Sequence, residues 1–180
     1  AKKPPADIGT YVYAYTSGTI SKASPVRVRF ASAVAEEVGS EANAFINISP
    51  SVSGQAVWED EQTLRFEPEN YFESQTAYVV TVNLEKLFPD VPSEAAQFEF
   101  DFRTRDQFFD IEVYGLDAID AADLSKQSVT GAIFTSDVAE PEKVEEMLSA
   151  KQANQNLPIE WTHAPEQMRY EFTVQNVQRT

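Results

Sequence analysis

Phe98-Glu99-Phe100-Asp101-Phe102-Arg103 alternates aromatic and charged residues without a break. A period of two gives the backbone one face for a core and one for water, which is the pattern of a half-buried β-strand. Val26-Arg27-Val28-Arg29-Phe30 has the same alternation. Outward from these two, further strands are expected over Thr10 to Tyr15, Phe45 to Ile48, Gln55 to Trp58, Thr63 to Phe66 and Ala77 to Val82. Turn residues separate them: Ser17-Gly18, Ser49-Pro50, Ser53-Gly54, Glu67-Pro68 and Pro89 to Pro92. Short strands recurring every roughly 8–12 residues predict a sandwich or a barrel.

From residue 105 the pattern begins again. Strands are expected over Phe108 to Tyr114, Val129 to Phe134, Leu157 to Trp161 and Met168 to Val174. One short helix is expected at Pro141, where proline suits a first helical position. Val144, Met147 and Leu148 follow at helical spacing, while Glu142, Glu145 and Glu146 face solvent or the helix N-terminus.

A gapless shift of 104 residues brings the two halves into partial register. Ile20-Ser21-Lys22 then meets Leu124-Ser125-Lys126, and Ser24 meets Ser128. Phe30 meets Phe134, Ser32 meets Ser136, and Val34-Ala35-Glu36 meets Val138-Ala139-Glu140. Arg65-Phe66 meets Arg169-Tyr170, and Trp58 meets Trp161 after a slip of one residue. A run of matches in this order predicts two copies of one module. The expected organisation is an N-terminal tether over 1–9, a first module over 10–104 and a second over 105–180. The first copy continues for 38 residues past Phe66 and the second for 10 past Tyr170, so the second is expected to be truncated at its C-terminus. The fold class is all-β: two tandem immunoglobulin-like, fibronectin III-like, antiparallel β-sandwich modules, with a short helix in the second.

Composition limits the functions. The chain has 29 acidic and 14 basic residues, a net charge of −15. Nucleic acid is not an expected partner, because phosphate needs a basic face, and an anionic membrane surface repels the chain. There is no cysteine, which excludes a disulfide, a thiolate metal site, a cysteine nucleophile and a cysteine-based thioester within this sequence. No apolar run approaches the roughly 20 residues of a membrane-spanning helix. The opening Ala1-Lys2-Lys3-Pro4-Pro5 suits a trimmed N-terminus whose leader, with any lipid-bearing cysteine, has been removed. The expectation is an exported protein of the periplasm or cell surface.

The first module carries Ser24-Pro25-Val26-Arg27-Val28-Arg29-Phe30, Ile46-Asn47-Ile48-Ser49-Pro50, Ser53-Gly54, Trp58, Thr63-Leu64-Arg65-Phe66-Glu67-Pro68 and Thr76-Ala77-Tyr78-Val79-Val80-Thr81-Val82. In this order they resemble the bacterial Ig-like domain of surface and periplasmic proteins. With Gly131-Ala132-Ile133-Phe134-Thr135-Ser136-Asp137 and Leu157-Pro158-Ile159-Glu160-Trp161, the pair resembles the N-terminal region of bacterial α2-macroglobulin family proteins, large multidomain proteins held to trap proteases. That resemblance implies a scaffold portion whose partners are other domains of a longer polypeptide and, through the full-length protein, proteases. The family's bait segment and thioester motif have no counterpart here.

The remaining residues of interest each have a bland reading beside the sharp one. His163 is the single histidine and lacks a second ligand or a nucleophile, so a turn histidine is expected. Glu59-Asp60-Glu61 offers oxygens to calcium but lacks the spacing of a calcium loop, so an acidic hairpin tip is expected. Asp117, Asp120 and Asp123 recur every third residue; a solvated linker is the default, with a calcium site or a glycosidic acid–base pair as the alternatives. Trp58 and Trp161 read as core plugs rather than sugar platforms. Tyr11, Tyr13 and Tyr15 make either an aromatic binding strip or a packed sheet face. Asn47-Ile48-Ser49 matches a glycosylation acceptor by chance. No catalytic, cofactor-binding or metal-binding residue is assigned. The expected function is structural, with a cell-surface adhesin or glycan-binding module as the alternative.

Overall fold

A computed structural model describes residues 7–179. The chain divides into two compact units, 1–105 and 106–180.

In the first unit, the strands are β1 (Val12–Tyr15), β2 (Gly18–Ile20), β3 (Val26–Phe30), β4 (Ile46–Ser49), β5 (Gly54–Trp58), β6 (Thr63–Pro68), β7 (Ala77–Asn83) and β8 (Gln97–Thr104). They form two four-stranded sheets, in the orders β1-β3-β6-β5 and β2-β8-β7-β4. This is the arrangement of an immunoglobulin sandwich, A-B-E-D facing C-F-G, with the first strand broken so that β2 runs parallel to β8. The break follows from Gly18, whose φ of +74° turns the chain from one sheet to the other.

The alternations select the inner faces. Val26, Val28 and Phe30 on β3 are buried, while Arg27 and Arg29 between them are exposed. Phe98, Phe100 and Phe102 do the same on β8. The two inner faces meet in one core that takes in Trp58, Leu64, Phe66, Tyr78, Val80 and Val82. At the turn between β6 and β7 the backbone is pinned by buried side chains. The Tyr78 hydroxyl accepts from the Glu73 N–H at 3.0 Å. Thr104 Oγ1, fully buried, donates to the Glu73 carbonyl at 2.6 Å and accepts from the Thr76 N–H at 2.9 Å. A tyrosine at the start of this strand that holds the preceding corner is a hallmark of the immunoglobulin sandwich. Of the expected tether, residues 1–6 lie outside the described residues, and Ile8 packs against the core.

In the second unit, the elements are β9 (Phe109–Asp120), β10 (Asp123–Thr135), α1 (Pro141–Glu145), β11 (Ala150–Gln152), β12 (Gln155–Leu157), β13 (Ile159–Ala164) and β14 (Arg169–Gln178). The four long strands form one antiparallel sheet in the order β13-β14-β10-β9, and β11 pairs with β12 alone. Read from the other edge, β9-β10-β14-β13 has the strand order of β1-β3-β6-β5. The A-B-E-D sheet is therefore present twice. The described residues of the second unit hold no counterpart of the C-F-G sheet. Their second layer is the segment with α1 and the β11–β12 hairpin: Ala139, Val144, Leu148, Ala150 and Leu157 pack over Ile133, Tyr170, Phe172 and Val174.

The expected pairing of Phe30 with Phe134 is corrected at the level of faces. Ile133 lies in the core, and its neighbour Phe134 necessarily turns to the opposite face, under the Arg169 guanidinium at 5.8 Å. Phe66 and Tyr170 do both face their cores, and both tryptophans lie on the equivalent strand, β5 or β13. Their registers differ, however: Trp58 stands opposite Leu64, and Trp161 opposite Phe172. The repeat is one of strand order rather than of register. Helix α1 is also shorter than the spacing predicts, and Met147, expected on its apolar face, is exposed after the helix has ended.

Close approach fixes one glycine of the second unit. A Cβ on Gly131 would collide with the Glu112 backbone oxygen and the Phe172 ring. Gly131→Ala is expected to lower the stability of this unit by about 1–3 kcal/mol, as overpacking does. The shift of its denaturant midpoint measures this, with Ala132→Gly as an unrelated neighbouring change that should not act through a clash.

Candidate interaction surface

The strands carry ionisable side chains outward, where several are used in local pairs. Arg27 on β3 grips Glu59 just past β5: Nε and Nη2 donate to the two carboxylate oxygens at 2.7 and 3.1 Å. Asp60 closes the same hairpin, its Oδ1 accepting from the Gln62 N–H at 2.7 Å and its Oδ2 from the Thr63 hydroxyl at 2.9 Å. The acidic tip thus serves as a turn lock and a cross-strand ion pair. The Arg27 hydrogen bonds hold the Glu59 carboxyl below its ordinary range, aided by the charges of Arg27 and Arg65. The backbone N–H of Gln62 and the Thr63 hydroxyl lower Asp60 likewise.

Because the folded Glu59 value is depressed, its contribution is complete above the ordinary glutamate value of about 4.3 and is lost as pH falls through the folded value. Both side chains of the pair are more than a third exposed, so solvent screening limits the contribution to about 0.5–1 kcal/mol. Glu59→Gln is expected to flatten the acid limb of stability against pH and to leave the neutral region shifted by no more than that amount. Denaturant midpoints between about pH 3 and 7 check it.

Asp117, Asp120 and Asp123, expected in a linker, lie on the long β9–β10 hairpin. Asp120 and Asp123 face each other at its tip, and Asp117 stands opposite Ser128. Asp120 Oδ1 accepts from the Ala122 N–H at 2.8 Å. Asp123 Oδ1 accepts from the Ser125 N–H and hydroxyl at 3.1 and 2.5 Å, which lowers its pKa. Among the described residues no three His, Cys, Asp or Glu side chains converge as metal ligands would.

His163 lies on β13, not in a turn, stacked on Trp161 with centroids 6.0 Å apart and with Nε2 3.1 Å from Glu145 Oε1. Trp58 is buried against Phe30 and Phe45 at centroid distances of 5.8 and 5.7 Å. The tyrosine strip is split. Tyr11 packs on Phe88 and Tyr15 on Phe98 and Phe100, which leaves Tyr13 outward beneath Arg29. Asn47 is exposed on β4.

The surface that sequence reasoning missed is β9. Phe109, Ile111, Val113 and Leu116 stand opposite Thr135, Ile133, Gly131 and Val129. Opposed residues share a face, so all four belong to the apolar face that the second layer covers elsewhere. Rows run across the sheet as Ile111-Ile133-Tyr170-His163, Val113-Gly131-Phe172-Trp161 and Leu116-Val129-Val174-Ile159. Tyr170 is fully buried, whereas Phe109 is 62 % exposed and Val113 63 %. The cover stops before the edge strand.

Residues 2–87 match the family model described as bacterial Ig domain. No curated protein matches the chain. Similar solved structures include L,D-transpeptidase 3 from Mycobacterium tuberculosis, at 14 % identity and a TM-score of 0.38 over 88 % of this chain and 60 % of that one. Another is an L,D-transpeptidase from Mycobacterium smegmatis, at 15 % identity and a TM-score of 0.40 over 85 % of this chain and 54 % of that one. The chain thus spans less than two thirds of the length of either. No helix is long and apolar enough to cross a membrane among the described residues. The family match and the strand order agree over the first unit: residues 2–87 resemble a bacterial Ig domain, and the sandwich they help build has its A-B-E-D and C-F-G sheets.

Proposed function

We propose that this chain is a non-catalytic structural and interaction segment of an exported bacterial protein. The observation that carries this reading is how the chemistry-bearing residues are used. Trp58 is packed into a core and Trp161 half-buried against another, Glu59 and Asp60 lock a hairpin, and Asp120 and Asp123 shape a turn. Catalysis needs a nucleophile or an acid–base pair converging on a cleft, and within each unit these groups are engaged in packing or turn contacts instead. The exposed strand β9 favours interaction. Two A-B-E-D sheets in one chain suit a scaffold built from repeated modules.

Within that reading we assign the chain to the scaffold portion of an α2-macroglobulin-like protease-trapping protein, placed in the periplasm or at the cell surface and anchored through a lipid-bearing cysteine outside this sequence. Support comes from the ordered motifs of both modules. A broad hydrolase screen and a protease-inhibition assay on residues 1–180 test the first statement; both are expected to be negative, and turnover lost on changing one acidic residue would overturn it. For the second, the full-length gene product is expected to contain further β modules and a Cys-x-Glu-Gln motif. A dedicated catalytic domain in their place would overturn the macroglobulin assignment and leave the interaction reading standing.

A further inference from the structure

We propose that β9 is a strand-addition site, which takes an extended polypeptide whose side chains alternate between apolar and basic. The inference deepens the reading of the chain as an interaction segment and rests on it.

Three observations point to the same occupant. First, β9 is the edge of its sheet, paired on one side with β10 and with nothing on the other among the described residues. It is 12 residues long, whereas the edge strands of the first unit, β1, β5, β2 and β4, have only 3 to 5. Natural sheets keep edges short or guard them with lysine, proline or an inward-pointing charge. β9 has no lysine and no proline, and from Phe109 to Asp117 the positions facing the covered side are Phe109, Ile111, Val113 and Leu116. Second, that apolar row is left uncovered. In the first unit the equivalent edge strand is in contact with the facing layer: Val12 is buried, and Tyr15, though 39 % exposed, packs on Phe98 and Phe100 of the facing sheet. An added strand would place its own apolar side chains beside the β9 row and remove much of it from water. Third, the other face of β9 is acidic. Asp110, Glu112 and Asp117 stand opposite Phe134, Ala132 and Ser128, and the strand carries no basic residue.

Main-chain pairing gives such an addition its affinity, and the alternate side chains give it specificity. Lysine or arginine on the outward face of the incoming strand would meet the carboxylates as cross-strand pairs. A second copy of the chain fits poorly. Antiparallel pairing of two β9 strands centred on Gly115 sets Asp110 against Asp120, in-register parallel pairing sets each acid against itself, and in any register both strands bring acidic charge and no basic partner for it.

The test uses residues 1–180 and a fluorescent peptide of about nine residues, a typical long strand, alternating valine and lysine. Binding is read by anisotropy, and backbone pairing by amide hydrogen exchange. The expected result is saturable binding that falls as salt rises from about 0.05 to about 0.3 M, with slower exchange of β9 amides. Val113→Lys, an inward charge on an exposed residue, is expected to weaken binding about tenfold or more. Thr162→Lys on β13, the opposite edge, should bind as the unaltered chain does, and far-UV circular dichroism confirms that both variants fold. Equal binding of a scrambled peptide of the same composition, or of the valine–glutamate analogue, would overturn the proposal, as would absence of binding. A dimer dissolved by Val113→Lys would overturn it in favour of self-association. None of these outcomes produces turnover, so failure here is distinct from failure of the non-catalytic reading.

Discussion

Trp58→Ala is expected to destabilise the first unit by about 3–5 kcal/mol, the usual cost of deleting a large buried aromatic. The indole lies in the core of the sandwich, 3 % exposed, between the rings of Phe30 and Phe45 and opposite Leu64 across the β5–β6 pair. Its removal takes away buried apolar area and the edge-and-face contacts that rings add to it. The surrounding strands are held by ladder hydrogen bonds and cannot collapse far into the space. The backbone contacts of the residue, its N–H to the Ser40 carbonyl and its carbonyl from the Gly39 N–H, survive the substitution, so the loss reports the side chain. Denaturant unfolding followed by circular dichroism should show a lower midpoint with the slope retained. Trp58→Phe should recover a large part of the loss. A midpoint that hardly moves would mean that the ring is a surface platform and that the core assignment is wrong.

The tryptophan shows how much of the fold the sequence discloses. Where a strand has one wet face and no irregularity, alternation locates it and orients it. β8 follows its Phe-Glu-Phe-Asp-Phe-Arg pattern residue by residue, exposed and buried in turn. Reading fails where the phase breaks. β9 was expected to stop at Tyr114, yet it runs to Asp120. The pairing slips between Thr130 opposite Gly115 and Gly131 opposite Val113, which leaves Tyr114 as an extra residue. A bulge of this kind flips the parity of everything beyond it. The apolar face passes from odd positions, Phe109, Ile111 and Val113, to Leu116, and a strict period-two pattern ends there. The Asp117, Asp120 and Asp123 stretch then reads as a linker although it is hairpin.

Two further misreadings have equally local causes. Leu157 to Trp161 looks like one strand, but Pro158 lacks the N–H that a ladder needs, and the chain divides into β12 and β13 around it. The repeat rests on residue identity, and identity does not record which side of a sheet a residue faces. A gapless shift therefore matched Phe30 in a core to Phe134 outside one. The uncovered β9 surface was not legible at all. Its residues look like core residues in sequence; only the extent of the second layer shows that they are not.

Tyr170→Phe is expected to cost the second unit about 2–4 kcal/mol, although it removes one oxygen atom and leaves the ring. The hydroxyl is fully buried and makes two hydrogen bonds to the same residue: it donates to the Ala139 carbonyl at 2.7 Å and accepts from the Ala139 N–H at 3.0 Å. Ala139 is itself buried where the chain leaves β10 and approaches α1. It belongs to no ladder, so these two bonds are how its backbone is satisfied. A buried N–H or carbonyl stripped of its partner costs about 1–3 kcal/mol, and phenylalanine orphans one of each at once. The consequence should be local before it is global. The segment that carries Val144 over Ile133, Tyr170 and Phe172 is tied to the sheet here, and amide exchange over 139–148 should rise more than exchange in β14. In a Trp58→Phe background Trp161 is the single tryptophan, half-buried against Phe172, and its fluorescence reports unfolding of this unit. The double change Tyr170→Phe with Ala139→Gly should be no worse than the sum of the single changes. A Tyr170→Phe midpoint equal to that of the unaltered chain would show that water satisfies Ala139 and that the hydroxyl does not hold the second layer in place.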